Sequence, residues 1–335
     1  MRIAVIGAGA LGGTFATLLE GAGHDVTVTA RGGTLAAIRR DGIRLSGAFG
    51  EAHAHPLALE RLTEAPELAL VCTKAQDAAA AITDNAGFLN GCPVIVVQNG
   101  LLGVRTATEL LPDSECFGLL VIVAANYTEP GHVSVTTAAP SYLGRGSGSV
   151  DAETMRWQAV LGGPLRTRPI ANFVGAQWTK LVVNMLNALP AITGLSVQDV
   201  VDEPRLRRVL TASMRETVRV GRRRGVRFGA LQKLDDRRLR IFSGLPLWAG
   251  QVLPRGMRAR MGRVPNRGST LQSLLRGQPT EIDFLNGAVV REAELVAVGA
   301  PVNAMLTALV HEVEAAGTSL PVAEVLARFA ELGRS

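Results

Sequence analysis

The sequence predicts an α/β protein, with a doubly wound parallel sheet in its first half and an all-helical second half. Three observations carry that expectation. Up to about residue 168, short apolar strands alternate with helix-like segments, the order that parallel βαβ units produce. Strands such as PVIVV (93–97) are continuously apolar, as a sheet covered on both faces requires. Beyond residue 168 the apolar residues recur at helical spacing instead.

Taken in order, MRIAVI (1–6) reads as a strand, followed by a glycine turn and the helical TFATLLEGAG (14–23). DVTVTA (25–30), ELALVCT (67–73) and CPVIVVQNG (92–100) are further strands. GLLVIVAANY (118–127) and HVSVTT (132–137) continue the series. The turn-like GGPLRTRP (162–169) marks a boundary near Pro169, giving domains 1–168 and 169–335. WTKLVVNMLNALPAITG (178–194), RLRRVLTASMRETVRVGRRRG (205–225), EIDFLNGAVVREAELVAVGA (281–300) and 302–315 then read as helices.

Hydrophobic residues make up 47% of the 335, enough to fill two cores. No apolar run approaches the roughly 20 residues that span a bilayer, and the apolar start continues directly into a folded pattern, unlike a cleaved signal. Cys72, Cys92 and Cys116 lack metal-ligand spacing and read as reduced thiols of a cytoplasmic protein, with no metal expected. The net charge of +6 is uneven: residues 1–168 hold 12 Lys/Arg and 15 Asp/Glu, whereas 169–335 hold 23 and 14. Most of the excess lies in 205–267, with 18 basic and 3 acidic residues, which marks a domain change or a binding surface.

Gly7, Gly9 and Gly12 satisfy G-x-G-x-x-G, within GAGALG (7–12). The pattern gains meaning from its context, with a strand before it, a helix after it and another strand within 30 residues. Gly7 permits the tight turn, Gly9 lets a pyrophosphate approach the backbone, and Gly12 lets helix and strand pack closely. The amides of the loop, including those of Ala8, Ala10 and Leu11, then face the phosphates at the positive end of the helix. The pattern reads as a Rossmann-type dinucleotide site, a plain strand–helix turn being the alternative. The second strand ends in Arg31 rather than in the acid that holds a ribose 2′-hydroxyl. A guanidinium suits a 2′-phosphate, so the expected cofactor is NADP(H), a merely solvated Arg31 being the alternative.

In the second half, Lys180, Asn184 and Asn187 stand at i, i+4 and i+7, on one face of an otherwise apolar helix. Buried polar groups are costly unless satisfied, so these three line a cavity, or else form a rim lysine with helix-capping asparagines.

With GAGALG, CTKA around Lys74, QNG at Asn99, WTKLVVN around Lys180 and GSTLQSLLRGQPTEIDFLNG (268–287), the chain resembles the ketopantoate reductase (2-dehydropantoate 2-reductase) family over nearly its whole length. The resemblance implies a 6-phosphogluconate-dehydrogenase-like helical domain and a homodimer. It implies that Gly7 to Gly12 and Arg31 bind NADPH, with Lys74 at its phosphate or ribose side and Asn99 near the nicotinamide ribose and substrate. Ala125 falls where the family makes a backbone contact to the nicotinamide. Lys180 would be the proton donor, Asn184 and Ser269 would hold the substrate's hydroxyl and carboxylate end, and Glu281 would contact substrate or cofactor in a cleft; Asn187, from its place on the lysine's helix face, is read as a further substrate contact. An ammonium beside the keto oxygen stabilises the charge that hydride transfer creates there, then gives up its proton.

Three departures bear on the substrate. The family usually places its second asparagine at +8 from the lysine, whereas Asn187 is at +7 and Ala188 at +8. Its serine segment usually reads close to SMLQD, here STLQS with Ser273 in place of the acid. The stretch 222–267 is longer and more basic than compact members need. That stretch is a solvated helix pair, an extension of the pocket to a more acidic substrate, or an amphipathic surface for a membrane or acidic partner. It carries no nucleic-acid recognition motif. The substrate is ketopantoate or another ketone, aldehyde or imine, and a non-catalytic NADPH-binding regulator is the reading of a different class.

Overall fold

Residues with alternate side chains buried on opposite faces build the first half around a central strand. In the computed structural model, which describes residues 1–262 and 264–332, Ile3 and Val5 of the first strand enter one core while Ala4 and Ile6 enter the other. The same split recurs in the strand paired beside it, where Leu68 and Leu70 face one core and Ala69 and Val71 the other. A strand apolar at every position is what a sheet covered on both faces needs.

The strands are β1 (Arg2–Ile6), β2 (Asp25–Thr29), β3 (Ile43–Gly47), β4 (Ala52–Ala54), β5 (Leu57–Leu59), β6 (Leu68–Val71), β7 (Val94–Val96), β8 (Cys116–Leu120), β9 (Ala124–Glu129), β10 (His132–Thr137), β11 (Ser141–Gly144) and β12 (Thr167–Pro169). Helices α1 (Ala10–Gly21), α2 (Gly32–Asp41), α3 (Ala75–Leu89), α4 (Gly103–Leu110) and α5 (Ala152–Leu161) connect them. Eight strands form one sheet in the order β12-β11-β8-β7-β6-β1-β2-β5. From β8 to β5 every neighbouring pair is parallel; β11 runs antiparallel to β8.

The segment 118–127 is not one strand of that series. Its first part is β8, buried at every position, and its last part is β9, largely exposed. With β10, β9 belongs to a second, four-stranded sheet ordered β4-β3-β10-β9. The physical reason is visible in β10, where Val133 and Val135 are buried between less buried neighbours: alternation marks a sheet covered on one face only. A second departure concerns β12, which extends the first sheet across the turn at Pro169, so that the compact units are Met1–Phe173 and Val174 onward.

The second unit carries α6 (Phe173–Asn184), α7 (Ala188–Thr193), α8 (Val197–Asp202), α9 (Pro204–Arg223), α10 (Asp236–Gly244), α11 (Leu247–Gly250), α12 (Val252–Arg258), α13 (Gly268–Leu275), α14 (Asn286–Glu294), α15 (Pro301–Ala316) and α16 (Val322–Leu332). Among the described residues its only β-pairing is an isolated bridge between Leu231 and Leu234. None of the described helices is long and apolar enough to cross a membrane. Part of the basic excess is neutralised within the unit, as Arg224 pairs with Glu292, Arg240 with Asp236 and Arg258 with Asp202.

Polar groups at the centre of this unit are matched to one another. The Glu216 carboxylate of α9 accepts from the Val302 and Asn303 amides, satisfying donors that open α15. The Asn303 side chain donates to Glu216 at 2.7 Å and accepts from Ser213 Oγ at 2.8 Å and from Asn286 Nδ2 at 2.9 Å. Asn303 is fully buried, so each partner would lose its bond without access to water. Asn303→Ala is therefore expected to cost roughly 3 kcal/mol in urea unfolding, the penalty of stranding buried polar groups.

Candidate active site

The glycine loop lies between β1 and α1 and is anchored to the end of β2. The Gly7 amide donates to the Thr29 carbonyl at 3.2 Å and to its Oγ1 at 3.1 Å, and the Ala8 amide donates to the same carbonyl at 3.1 Å. Gly7 has φ +96°, and a Cβ there would stand 2.7 Å from Thr73 Cγ2. At Gly12 a Cβ would stand 1.9 Å from the Gly7 carbonyl oxygen, which excludes every other residue from that position. Gly9, the N-cap of α1, is different: a Cβ there would meet nothing within 4 Å. Its freedom from side-chain capping leaves the first amides of Ala10, Leu11 and Gly12 at a helix start with no acid in the first turn.

A dinucleotide pyrophosphate fits this loop. Open space lies over Gly9, and the hydroxyl of Thr73, which stands against Gly7, is buried with no hydrogen-bond partner among the described residues and can donate to a phosphate oxygen. Gln98 Nε2 donates to the Thr73 carbonyl at 3.2 Å, which ties the ends of β6 and β7 together. Thr73 and Gln98 were missing from the residues expected on sequence grounds; the signal was their position immediately before Lys74 and Asn99 at the carboxyl ends of adjacent strands.

Four of the other expected cofactor residues sit on the same unit, whereas Glu281 lies on the second. Arg31 is the N-cap of α2, directly beyond β2, and its guanidinium pairs with Asp84 at 2.5 Å. Lys74 is the N-cap of α3 and Asn99 follows β7; both are partly buried. Ala125 lies in β9, opposite Val135 in the second sheet.

On the second unit, Lys180 occupies the middle of α6 between the buried Thr179 and Leu181. Thr179 Oγ1 donates to the Gly229 carbonyl at 2.7 Å, which fixes this turn of the helix. Burial lowers the Lys180 pKa to about 8, against the opposing attraction of the Glu281 carboxylate. Glu281 is partly buried and sits at the start of a 3₁₀ turn (Ile282–Phe284).

The helix expected to run through 178–194 is interrupted. α6 ends at Asn184, a 3₁₀ turn spans Met185–Asn187, and α7 begins at Ala188. Pro190 supplies the reason, because it cannot donate to the Leu186 carbonyl and is tolerated only in the first turn of a new helix. A 3₁₀ turn repeats every three residues, so Asn187 stays in line with Asn184 through the interruption. Asn187 also lies against Gly268, where a Cβ would stand 2.6 Å from its Oδ1. That approach, with Gly268 at φ +67°, brings the start of α13, whose second residue is Ser269, against Asn187. Ser269 is exposed, whereas the next residue, Thr270, is buried with an unpartnered hydroxyl.

A family model described as ketopantoate reductase PanE/ApbA matches residues 3–148, and the model of its C-terminal domain matches residues 172–314. The chain belongs to the ketopantoate reductase family. A 2-dehydropantoate 2-reductase of Archaeoglobus fulgidus is 28% identical over 315 residues, covering 93% of this chain and 98% of the relative. One from Pyrococcus horikoshii is 26% identical over 328 residues, covering 95% and 99%. Among solved structures, a PanE/ApbA family ketopantoate reductase from Ralstonia eutropha aligns with a TM-score of 0.81 at 28% identity, over 95% of this chain and 99% of that one. A D-mandelate dehydrogenase solved with NADH and anilino(oxo)acetate shares the fold, with a TM-score of 0.79 at 19% identity over 95% and 99%. By family the chain is an oxidoreductase.

The segment carrying Glu281 is held at three points in this ketopantoate reductase family member. Glu314 accepts from the Thr280 amide at 2.7 Å, Arg291 donates to the Asp283 carbonyl at 2.6 Å, and His311 bridges Glu314 at 2.8 Å and Asp283 at 3.0 Å. Burial acts to lower the His311 pKa, but its two carboxylate partners prevail and raise it above 6.5. A raised histidine pKa contributes stability that is complete below the unfolded value and lost as pH rises through the folded one. The thermal-unfolding deficit of His311→Asn is therefore expected to be largest below about pH 6.5 and to vanish in alkaline solution.

The two loop glycines separate folding from binding. Gly12→Ala is expected to lower Tm sharply, because backbone must move to admit the methyl group. Gly9→Ala is expected to keep the parental Tm while weakening dinucleotide binding, read by quenching of protein fluorescence.

Proposed function

We propose that this protein reduces a 2-oxo acid to a 2-hydroxy acid with NADPH, with ketopantoate as the leading substrate and Lys180 as proton donor. One observation carries the reading: a lysine whose pKa burial has brought to about 8, opposed by a carboxylate from a distant segment, on a helix whose next turns present Asn184 and Asn187. A general acid works best when its pKa lies near the working pH, and an unperturbed lysine would hold its proton too firmly. The family of the chain and its named relatives support the same reaction.

A reduced nicotinamide, when bound, supplies the hydride that reaches the keto carbon. Lys180 Nζ–H donates to the keto oxygen, first stabilising the negative charge and then transferring the proton. Glu281 sustains the ammonium form until that moment, since its charge raises the lysine pKa against burial. Asn184 and Asn187 supply amide donors and acceptors in line with the lysine for the substrate's polar groups. The NADPH preference rests on Arg31 standing where an acid would otherwise select a bare ribose hydroxyl. A different carbonyl substrate is the second reading, favoured by the exposed Ser269 and the tightened turn at Asn187.

The test is oxidation of NADPH, followed by its absorbance, with ketopantoate beside a panel of other 2-oxo acids, ketones and imines. Lys180→Ala is expected to lose about 10²-fold or more in turnover while retaining NADPH binding; full activity in that variant overturns the role. Because the ammonium is the active form, kcat is expected to fall as pH rises through about 8. Glu281→Gln removes the group that raises the lysine pKa, so this limb is expected to move to lower pH.

A further inference from the structure

Beyond β2 and β5 two arginines leave the sheet side by side. The strands pair in parallel with Thr29 opposite Leu59, and the Ala30 amide donates to the Leu59 carbonyl at 2.9 Å. Arg31 and Arg61 therefore stand at equivalent positions, each two residues past a paired residue. A single carboxylate lies between them: Asp84 Oδ2 is 2.5 Å from Arg31 Nη2, and Asp84 Oδ1 is 3.3 Å from Arg61 Nη2. Asp84 comes from α3, and the next residue, Asn85, accepts from the Leu62 amide at 2.8 Å, locking that helix to the arginine-bearing loop. The arginine side chains are 71% and 65% exposed and Asp84 is 26% exposed, so the pairs face solvent on one side. The nearby Arg39 is engaged elsewhere, donating to the Ala58 carbonyl at 3.0 Å.

We propose that Arg31 and Arg61 together form the receptor for the cofactor's 2′-phosphate, and that Asp84 is a built-in competitor which the phosphate must displace. The inference rests on the NADPH reading above and adds Arg61 and Asp84 to it. Two oxygens of one anion already engage two separate guanidiniums, a spacing that a phosphate monoester, with three oxygens and up to two charges, also meets. A phosphate carries more charge than the carboxylate and outcompetes it for the guanidiniums. A ribose hydroxyl has no charge and leaves the Asp84 pairs intact. Asp84 thereby reduces NADPH affinity without touching NADH affinity, keeping the holo protein able to release its cofactor.

Dissociation constants for NADPH, NADH, 2′,5′-ADP and 5′-ADP, measured by calorimetry on the full chain, test this directly. Asp84→Asn keeps the shape and removes the competing charge; it is expected to tighten NADPH and 2′,5′-ADP by roughly threefold, the scale of an exposed ion pair, and to leave NADH and 5′-ADP unchanged. Arg61→Ala is expected to weaken NADPH and 2′,5′-ADP by about tenfold with NADH again unchanged. Unchanged or weaker NADPH binding by Asp84→Asn overturns the competitor role, and unchanged binding by Arg61→Ala overturns the two-arginine receptor. Arg31→Ala separates the two levels: if it leaves the preference for NADPH over NADH intact, the cofactor reading itself fails. If it abolishes the preference while the other two variants do nothing, only this inference fails.

Discussion

A Cβ at residue 12 would stand 1.9 Å from the Gly7 carbonyl oxygen, and the first unit is organised around that lack of room. The opening turn of α1 lies almost on the backbone that leaves β1, an approach only glycine permits. Gly7, at φ +96°, stands against Thr73, two residues past β6, and is hydrogen-bonded to Thr29 of β2, so the central strand and both its neighbours set the loop's shape. Cys72 lies beneath the same contact, 3.1 Å from that imagined Cβ, where burial pushes its thiol far above the ordinary range. The helix start that results is aimed by packing and kept open by the bare Gly9, which is why a phosphate-binding surface follows from a steric constraint.

The second unit solves a different problem, that of placing a lysine where water does not fully solvate it. Burial pushes the pKa of its ammonium down. Glu281 opposes that tendency from a segment a hundred residues away, and the segment is pinned by Glu314, Arg291 and His311. The helix that carries the lysine is interrupted just beyond it: α6 ends at Asn184, a 3₁₀ turn carries Asn187, and α7 with Pro190 in its first turn begins at Ala188.

Much of this was legible in the residues. The glycine spacing, strand alternation and helical periodicity of the second half lead to the observed elements, and the polar face of Lys180 and Asn184 stands out against its apolar neighbours. Other features were hidden for definite reasons. The strands β4, β5 and β12 span three residues each, too few for a periodic signal. The run 118–127 is apolar enough to read as one strand, yet its two ends join different sheets, because pairing partners and not propensity decide where a ladder ends. Thr73 and Gln98 are ordinary residues in a sequence and become conspicuous only as buried oxygens without partners.

The sequence by itself determined the identity of the loop, because the reason for each glycine is local: a positive φ, an open approach or a close contact. It also determined that a lysine and two asparagines share a side of one segment, since helix geometry relates near neighbours. Only the tertiary structure decided that Glu281 acts on Lys180, that Asn187 meets Gly268, and that Asp84 stands between Arg31 and Arg61. Each joins residues separated by 23 to 101 positions along the chain, and no periodic pattern records such distances. The charge environment that sets a pKa, or that surrounds a pair of arginines, is made by those long-range meetings.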